Sequence, residues 1–256
     1  MRKITLLALA ALAALACLAH ADQADKLLKK TAEAVNNLHS ISAGLEYTVY
    51  EDNGIFETTT VYSGSFDFSK LPFDPNAPAP DELLPDAPKE LAAIHFTTKS
   101  VDGAKPVSEE TKYIFDGAWL TKIDYPLKEV TRIQTAPANK RLKAIELFSD
   151  MIPVSVFTDS SKLLAEYEVK LVSECEAGAV ISLKPKKKVS AELLTIELNK
   201  TNGLFTKITT TLKDGGKNTL SFSNLKLNEL LQKERFNAET PAGFTENINP
   251  REEEKR

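Results

Sequence analysis

Between Glu192 and Leu227 apolar and polar residues alternate in successive segments separated by turn residues. Leu194, Ile196 and Leu198 alternate with Thr195 and Glu197. Thr201-Asn202-Gly203 breaks that run, and Leu204, Ile208 and Leu212 share one parity of the next. Asp214-Gly215-Gly216 then leads into Leu220-Ser221-Phe222. A period of two places the apolar set on one face of a pleated strand, and Asn-Gly and Asp-Gly supply the positive φ of hairpin turns. The pattern predicts an antiparallel meander with one apolar face. In its last segment the parity passes from Leu220 and Phe222 to Leu225 and Leu227, which predicts a β-bulge near Asn224 and a curled sheet.

The same signals recur upstream. Leu45, Tyr47 and Val49 alternate before a turn at Asp52-Asn53-Gly54, and residues 55–68 read as the return strand, with a bulge or bend at Gly64. Strands are expected at Ile94 to Thr98, Lys112 to Phe115, Trp119 to Tyr125 and Lys128 to Ile133, with a tight turn at Asp116-Gly117. A further pair is expected at Tyr167 to Leu171 and Ala179 to Lys184. Helical spacing is confined to a few places. Ala24, Leu27, Leu28, Thr31, Ala34, Val35 and Leu38 mark an amphipathic helix ending near Asn36-Asn37. Leu142, Ile145, Phe148, Met151 and Ile152 mark a second, opened by Pro137 and Asn139 and closed by Pro153. A short piece follows Asp159, and one or two turns are expected over Asn228 to Lys233. Many strands and few helices, not interleaved, exclude the alternating order of a parallel α/β sheet. The predicted class is mainly β with α: one antiparallel sheet curled into a barrel or half-barrel and covered by helices.

Six prolines between Leu71 and Pro88 (Pro72, Pro75, Pro78, Pro80, Pro85 and Pro88) interrupt this pattern, so about 71–90 reads as an exposed insertion rather than a domain boundary. Residues 1–21 read as a cleaved export signal: Arg2 and Lys3, an apolar run from Ile4 to Leu18, then Ala19-His20-Ala21 before Asp22. The mature domain is then 22–249, followed by a charged tail at 250–256, and a periplasmic location follows. Cys17 in Ala14-Leu15-Ala16-Cys17 loosely resembles a lipoprotein box and leaves lipid anchoring as the alternative.

Composition narrows the function. A net charge of −4 argues against a nucleic-acid surface. Cleavage after Ala21 leaves Cys175 without an intramolecular disulfide partner, and its acidic neighbours Glu174 and Glu176 disfavour a reactive thiolate. His39 and His95 lack ligand-spaced neighbours, and neither a phosphate-cradling loop nor a G-x-S-x-G elbow occurs. The expectation is a binding protein, not an enzyme, without cofactor or metal. Lys184-Pro185-Lys186-Lys187-Lys188 reads either as a solvated hairpin tip or as a patch for an acidic partner or anionic headgroups.

Ordered motifs then carry a resemblance. Asp116-Gly117-Ala118-Trp119-Leu120 with Tyr125-Pro126 and Glu129-Val130, Leu183-Lys184-Pro185-Lys186, Asp214-Gly215, and Phe236 with Pro241-Ala242-Gly243 resemble, in sequence order, the LolA-type outer-membrane lipoprotein carriers. The resemblance implies an incomplete antiparallel barrel closed by a helical lid, with an apolar cavity for acyl chains. It also implies lipoproteins received from an inner-membrane transporter and passed to an outer-membrane acceptor without catalysis; the chain itself is expected to be a monomer. Cavity candidates are Trp119, Ile123, Leu194, Ile196, Leu198, Ile208, Leu212, Leu220 and Phe222, although each would serve equally in an ordinary core. Lid candidates are Leu142, Ile145, Phe148, Met151 and Ile152. The family's lid-locking Arg before a proline is absent, since Leu71 precedes Pro72; Lys70 is the substitute, without a guanidinium's fork. An envelope lipid or lipoprotein sensor built on the same fold is the alternative function.

Overall fold

Period-two alternation does become strands over much of the described chain. The computed structural model describes residues 23–71, 90–137, 141–144 and 160–251. It is mainly β with few helices. The chain divides into two compact units, Leu38–Val154 with Gly216–Arg256 and Met1–Asn37 with Ser155–Gly215.

The larger unit contains β1 (Ser40–Asp52), β2 (Glu57–Lys70), β3 (Glu90–Val101), β4 (Val107–Phe115), β5 (Trp119–Asp124), β6 (Glu129–Gln134), β11 (Lys217–Leu227) and β12 (Thr245–Asn249). Their order is β12-β6-β5-β4-β3-β2-β1-β11. Neighbours are antiparallel except β12, which runs parallel to β6 with Thr245 opposite Glu129. The bulge predicted near Asn224 is present: Ser42 pairs with Lys226 and Gly44 with Ser223, so Ala43 faces two residues, and Asn224 takes a φ of 52°. Gly64 borders another register shift, between Ser63 and Gly64 on the β3 side.

One face of this sheet is closed by the chain's own C-terminal segment. Ala93, Ile114, Ile123 and Val130 pack with Leu231 and Phe236, and Leu91, Tyr125, Ala238 and Phe244 flank them. Polar contacts fasten the segment. Arg235 donates to the buried carboxylate of Asp67 at 2.6 Å, and Arg132 donates to the Ala238 carbonyl at 2.8 Å and also pairs with Glu246. Two expectations are corrected here. Residues 228–232 form no helical turn; a 3-10 turn lies later, at Lys233–Phe236, because Phe236 must reach the core. Strand β12 is absent from the sequence reading, since all its residues are exposed and no apolar face marks it.

The smaller unit has α1 (residues 23–37), α2 (Ser160–Glu166), β7 (Tyr167–Glu174), β8 (Gly178–Pro185), β9 (Ala191–Asn199) and β10 (Phe205–Leu212), with strands ordered β10-β9-β8-β7. Leu183 pairs with Leu194, and Ile181 with Ile196, which in turn pairs with Ile208, so one face is a continuous aliphatic surface. These side chains are buried, as are Ala24, Leu28 and Thr31 of α1 at helical spacing. Side chains of Gln23 and Lys30 bond Glu174 and the Lys200 carbonyl, tying the start and the middle of α1 to this unit.

Only the start of the predicted second helix lies within the described residues, and it begins later than expected: Ala144 is in a 3-10 turn. Residues 141–143 are irregular. Leu142 N–H donates to the Gly117 carbonyl at 2.8 Å and Ala144 N–H to the Glu90 carboxylate at 2.9 Å, so tertiary acceptors satisfy these backbone donors. Ile145, Phe148, Met151 and Ile152 lie outside the described residues, as do the export signal, most of the proline-rich insertion and residues 252–256.

Candidate functional site

Cross-strand neighbours share a face, so register alone assembles a row across the larger unit. Tyr47 pairs with Tyr62 and with Leu220; Leu45 pairs with Phe222 and Gly64; Gly64 pairs with Phe96. Phe66 pairs with Ala43 and Ile94, and Ile94 with Tyr113. All of these lie on the face opposite the closed core beneath Phe236. The rings touch. Tyr47 and Tyr62 stack at 6.2 Å, Tyr62 and Phe96 lie 5.6 Å apart, and Phe96 meets Tyr113 edge-on at 6.4 Å. Phe66 meets Phe222 edge-on at 5.8 Å. Such pairs add about 0.5–1.5 kcal/mol each beyond area burial.

The row is packed at one end and partly open along its length. Ala92, Phe115 and Ala144 form its buried end, with Phe66, Phe68, Leu120 and Leu142 against them. Tyr47, Tyr62, Phe66, Phe96, Tyr113 and Phe222 are only half-buried. Charged groups sit at the margin and are paired: Lys99 with Glu109 at 3.4 Å, over the Tyr62 ring at 5.6 Å, and Lys122 with Asp124 at 3.0 Å. The result is an apolar, aromatic surface with self-neutralised edges, suited to a flexible hydrocarbon rather than to a charged ligand.

Burial raises the pKa of both the Tyr47 and Tyr113 phenols above their ordinary value of 10.0. An acid whose folded-state pKa is raised makes no pH-dependent difference to stability below its unfolded pKa, and loses stability as pH rises above it, because the unfolded chain ionises first. Stability is therefore expected to fall above about pH 10. In ultraviolet titration, Tyr47→Phe and Tyr113→Phe should each remove a late-ionising phenol; removal of an early one from both would contradict the assignment.

The sequence-derived candidates are distributed between the units. Leu220 is buried and Phe222 half-buried on the aromatic face. Ile123 lies under the C-terminal segment on the other face, and half-buried Trp119 shares its strand parity. Leu194, Ile196, Leu198 and Ile208 are buried in the smaller unit, and Leu212 is half-buried after a register shift. Lys70 ends β2 opposite Glu90, whose carboxylate receives Ala144 N–H. Leu142, alone among the lid candidates, lies within the described residues, against the buried end of the row. Tyr47, Tyr62, Phe66, Phe96 and Tyr113 were not nominated from sequence. The shared even parity of Tyr62, Phe66 and Phe68 was the available signal.

Other chemistry is sparse. His95 Nε2 lies 2.8 Å from the Glu110 carboxylate, and Cys175 is exposed. Among the described residues no group of His, Cys, Asp and Glu could hold a metal ion, and no helix is long and apolar enough to cross a membrane.

Residues 108–239 match the sequence profile of the family described as outer membrane lipoprotein carrier protein LolA. No curated protein matches the chain in sequence. Similar solved structures include an uncharacterized conserved protein from Thermus thermophilus, with 9% identity, TM-score 0.48, and coverage of 89% of this chain and 99% of that one. The MucA/MucB complex of Pseudomonas aeruginosa is matched at 17% identity and TM-score 0.43 over 85% of this chain and 61% of that one. Lipoprotein LppX of Mycobacterium tuberculosis is matched at 10% identity and TM-score 0.43 over 82% and 98%.

Proposed function

The chain belongs to the LolA family of outer membrane lipoprotein carriers, and from that membership we propose that it carries acyl chains of lipoproteins or lipids through the periplasm toward the outer membrane. The half-buried aromatic row from Phe222 through Tyr47, Tyr62 and Phe96 to Tyr113 supports this reading most directly. In the proposed form the sheet acts as a half-barrel, this row lines its apolar cavity, and residues 139–153 act as the lid. Removal of acyl chains from water favours binding by about 0.8 kcal/mol per methylene. Contacts between hydrocarbon and aromatic rings are non-directional, so chains of different length can share the site, and release needs no bond to break. An inner-membrane transporter would load the carrier and an outer-membrane acceptor would empty it.

Leu142 and Ala144 would hinge such a lid, since they pack at the buried end of the row. Lys70 would act from the adjacent end of β2.

Native mass spectrometry of the protein purified from cell envelopes is the direct test. Acyl-chain ligands should copurify with the wild type and with Phe96→Leu. Phe96→Asp, which places a carboxylate among the rings, should lose them with its circular dichroism spectrum retained. A ligand-free wild-type protein with no dye-accessible apolar surface would overturn the proposal.

A further inference from the structure

Exposed large apolar side chains are concentrated at one end of the larger unit's sheet. Strands β1 to β6 are successive antiparallel partners, so the β1–β2, β3–β4 and β5–β6 turns emerge at the same end. On or beside these turns Ile55 is 80% exposed, Phe56 71%, Leu127 66%, Val107 59% and Val101 38%. A folded chain scatters some apolar residues over its surface. Placing them at consecutive hairpin tips of one sheet end is a different arrangement.

The outermost tip is also held in shape. Asp52 Oδ1 accepts from Gly54 N–H at 2.8 Å, and Asn53 Oδ1 accepts from Ile55 N–H at 3.0 Å and Phe56 N–H at 2.8 Å. The next turn is fastened to it: Asp102 N–H donates to the Thr59 carbonyl at 2.8 Å, and Asp102 Oδ1 accepts from Thr59 N–H at 2.7 Å. Ile55 and Phe56 are thus presented to solvent by a turn whose own polar groups are satisfied. Little backbone freedom remains to be lost when they are buried by something else.

We propose that this end of the sheet inserts into the interfacial region of a lipid bilayer, with Ile55 and Phe56 leading and Val107 and Leu127 following. Two observations select a bilayer over a protein groove. The apolar side chains stand on separate convex turns, spaced by two strands or about 10 Å, which a fluid hydrocarbon boundary accommodates singly. A protein partner would need a contiguous complementary patch. The surrounding charge is acidic or balanced, with exposed Glu51, Asp52, Glu57 and Asp102 against Lys105 and Lys128. Insertion is therefore hydrophobic, insensitive to salt, and favours zwitterionic over anionic lipid. The proposal goes beyond the carrier reading and does not require cargo. It adds a route, because the aromatic row begins at Tyr47, five residues or about 17 Å down β1 from Asp52. An inserted tip brings that row close to the bilayer surface.

Flotation of the full chain with phosphatidylcholine vesicles tests this. The wild type should float with the vesicles at both low and high salt. Ile55→Ser/Phe56→Ser should weaken vesicle binding at least tenfold, and Leu127→Ser several-fold. Because these side chains are solvent-exposed, thermal melting should be unchanged in all variants. Acyl-chain copurification measured in parallel separates the readings: a tip variant that keeps cargo but loses vesicles supports insertion. A wild type that ignores phosphatidylcholine overturns the proposal, as does binding confined to anionic vesicles at low salt, or binding unaffected by the double substitution.

Discussion

Gly64→Ala is expected to lower the melting temperature by roughly 6–12 °C, while Gly44→Ala should lower it by less than about 3 °C. Both glycines lie on neighbouring strands, and both would bring a new Cβ too close to an existing atom. At Gly64 that atom is the His95 carbonyl oxygen, 1.9 Å away, with the His95 carbonyl carbon at 2.7 Å and Phe96 Cα at 2.8 Å. All three belong to the backbone of β3. Relief requires β2 and β3 to separate at the bulge, which breaks ladder hydrogen bonds and costs about 3 kcal/mol or more. At Gly44 the obstacle is Ser223 Oγ at 2.5 Å, and the Ser223 carbonyl is already 3.6 Å away. Ser223 is exposed, so its hydroxyl can change rotamer at a cost of about 1 kcal/mol or less. Differential scanning calorimetry of the two variants checks the contrast. Equal losses would show that the close approach at Gly64 is not what shapes this part of the sheet. Since Phe96 is the cross-strand partner of Gly64, Gly64→Ala should also disturb the aromatic row and reduce acyl-chain copurification.

Phe236→Ala is the second large effect, expected to cost about 3 kcal/mol and a similar fall in melting temperature. Phe236 is 7% exposed and joins Leu231 in covering Ala93, Ile114, Ile123 and Val130. Deleting the ring removes both buried area and the anchor of the C-terminal segment. The neighbouring Arg235–Asp67 contact cannot replace it, because the Arg235 side chain is partly exposed to solvent, which screens the pair. Downstream, Thr245 N–H bonds the Lys128 carbonyl and β12 pairs with β6, so loosening the segment should accelerate amide hydrogen exchange across Thr245–Asn249. Leu230→Ser is the control. Leu230 is 70% exposed, and its loss should change stability by less than about 0.5 kcal/mol. Indistinguishable behaviour of the two variants would mean that the segment is not part of the cooperative core.

The sequence signals were most informative where structure is local. The turns at Asp52-Asn53-Gly54 and Asp116-Gly117 lie where their residue types place them, with Asp116 Oδ1 accepting from both Ala118 and Trp119 N–H. The parity switch around Asn224 marked a real bulge. Helical spacing from Ala24 to Val35 became α1. The family resemblance rested on motifs of the same local kind, and the profile match over residues 108–239 agrees with it.

Alternation states which residues share a face but not which face a neighbouring strand offers. Tyr47, Phe96 and Tyr113 come from three different strands, and they meet because the registers of β1 with β2, β2 with β3 and β3 with β4 align them. A register slip by one residue would send each ring to the opposite face. Irregular residues 141–143 and exposed β12 were equally hidden, because Gly117 and β6 supply their partners from distant sequence. By itself, then, the sequence determined the strands with an apolar face, the turns, the bulge and the family, since φ preferences and period-two patterning act over a few residues. The tertiary structure alone decided which apolar face is closed by the C-terminal segment and which remains a half-open aromatic row. That choice depends on long-range register and on burial energies summed over residues far apart in the chain.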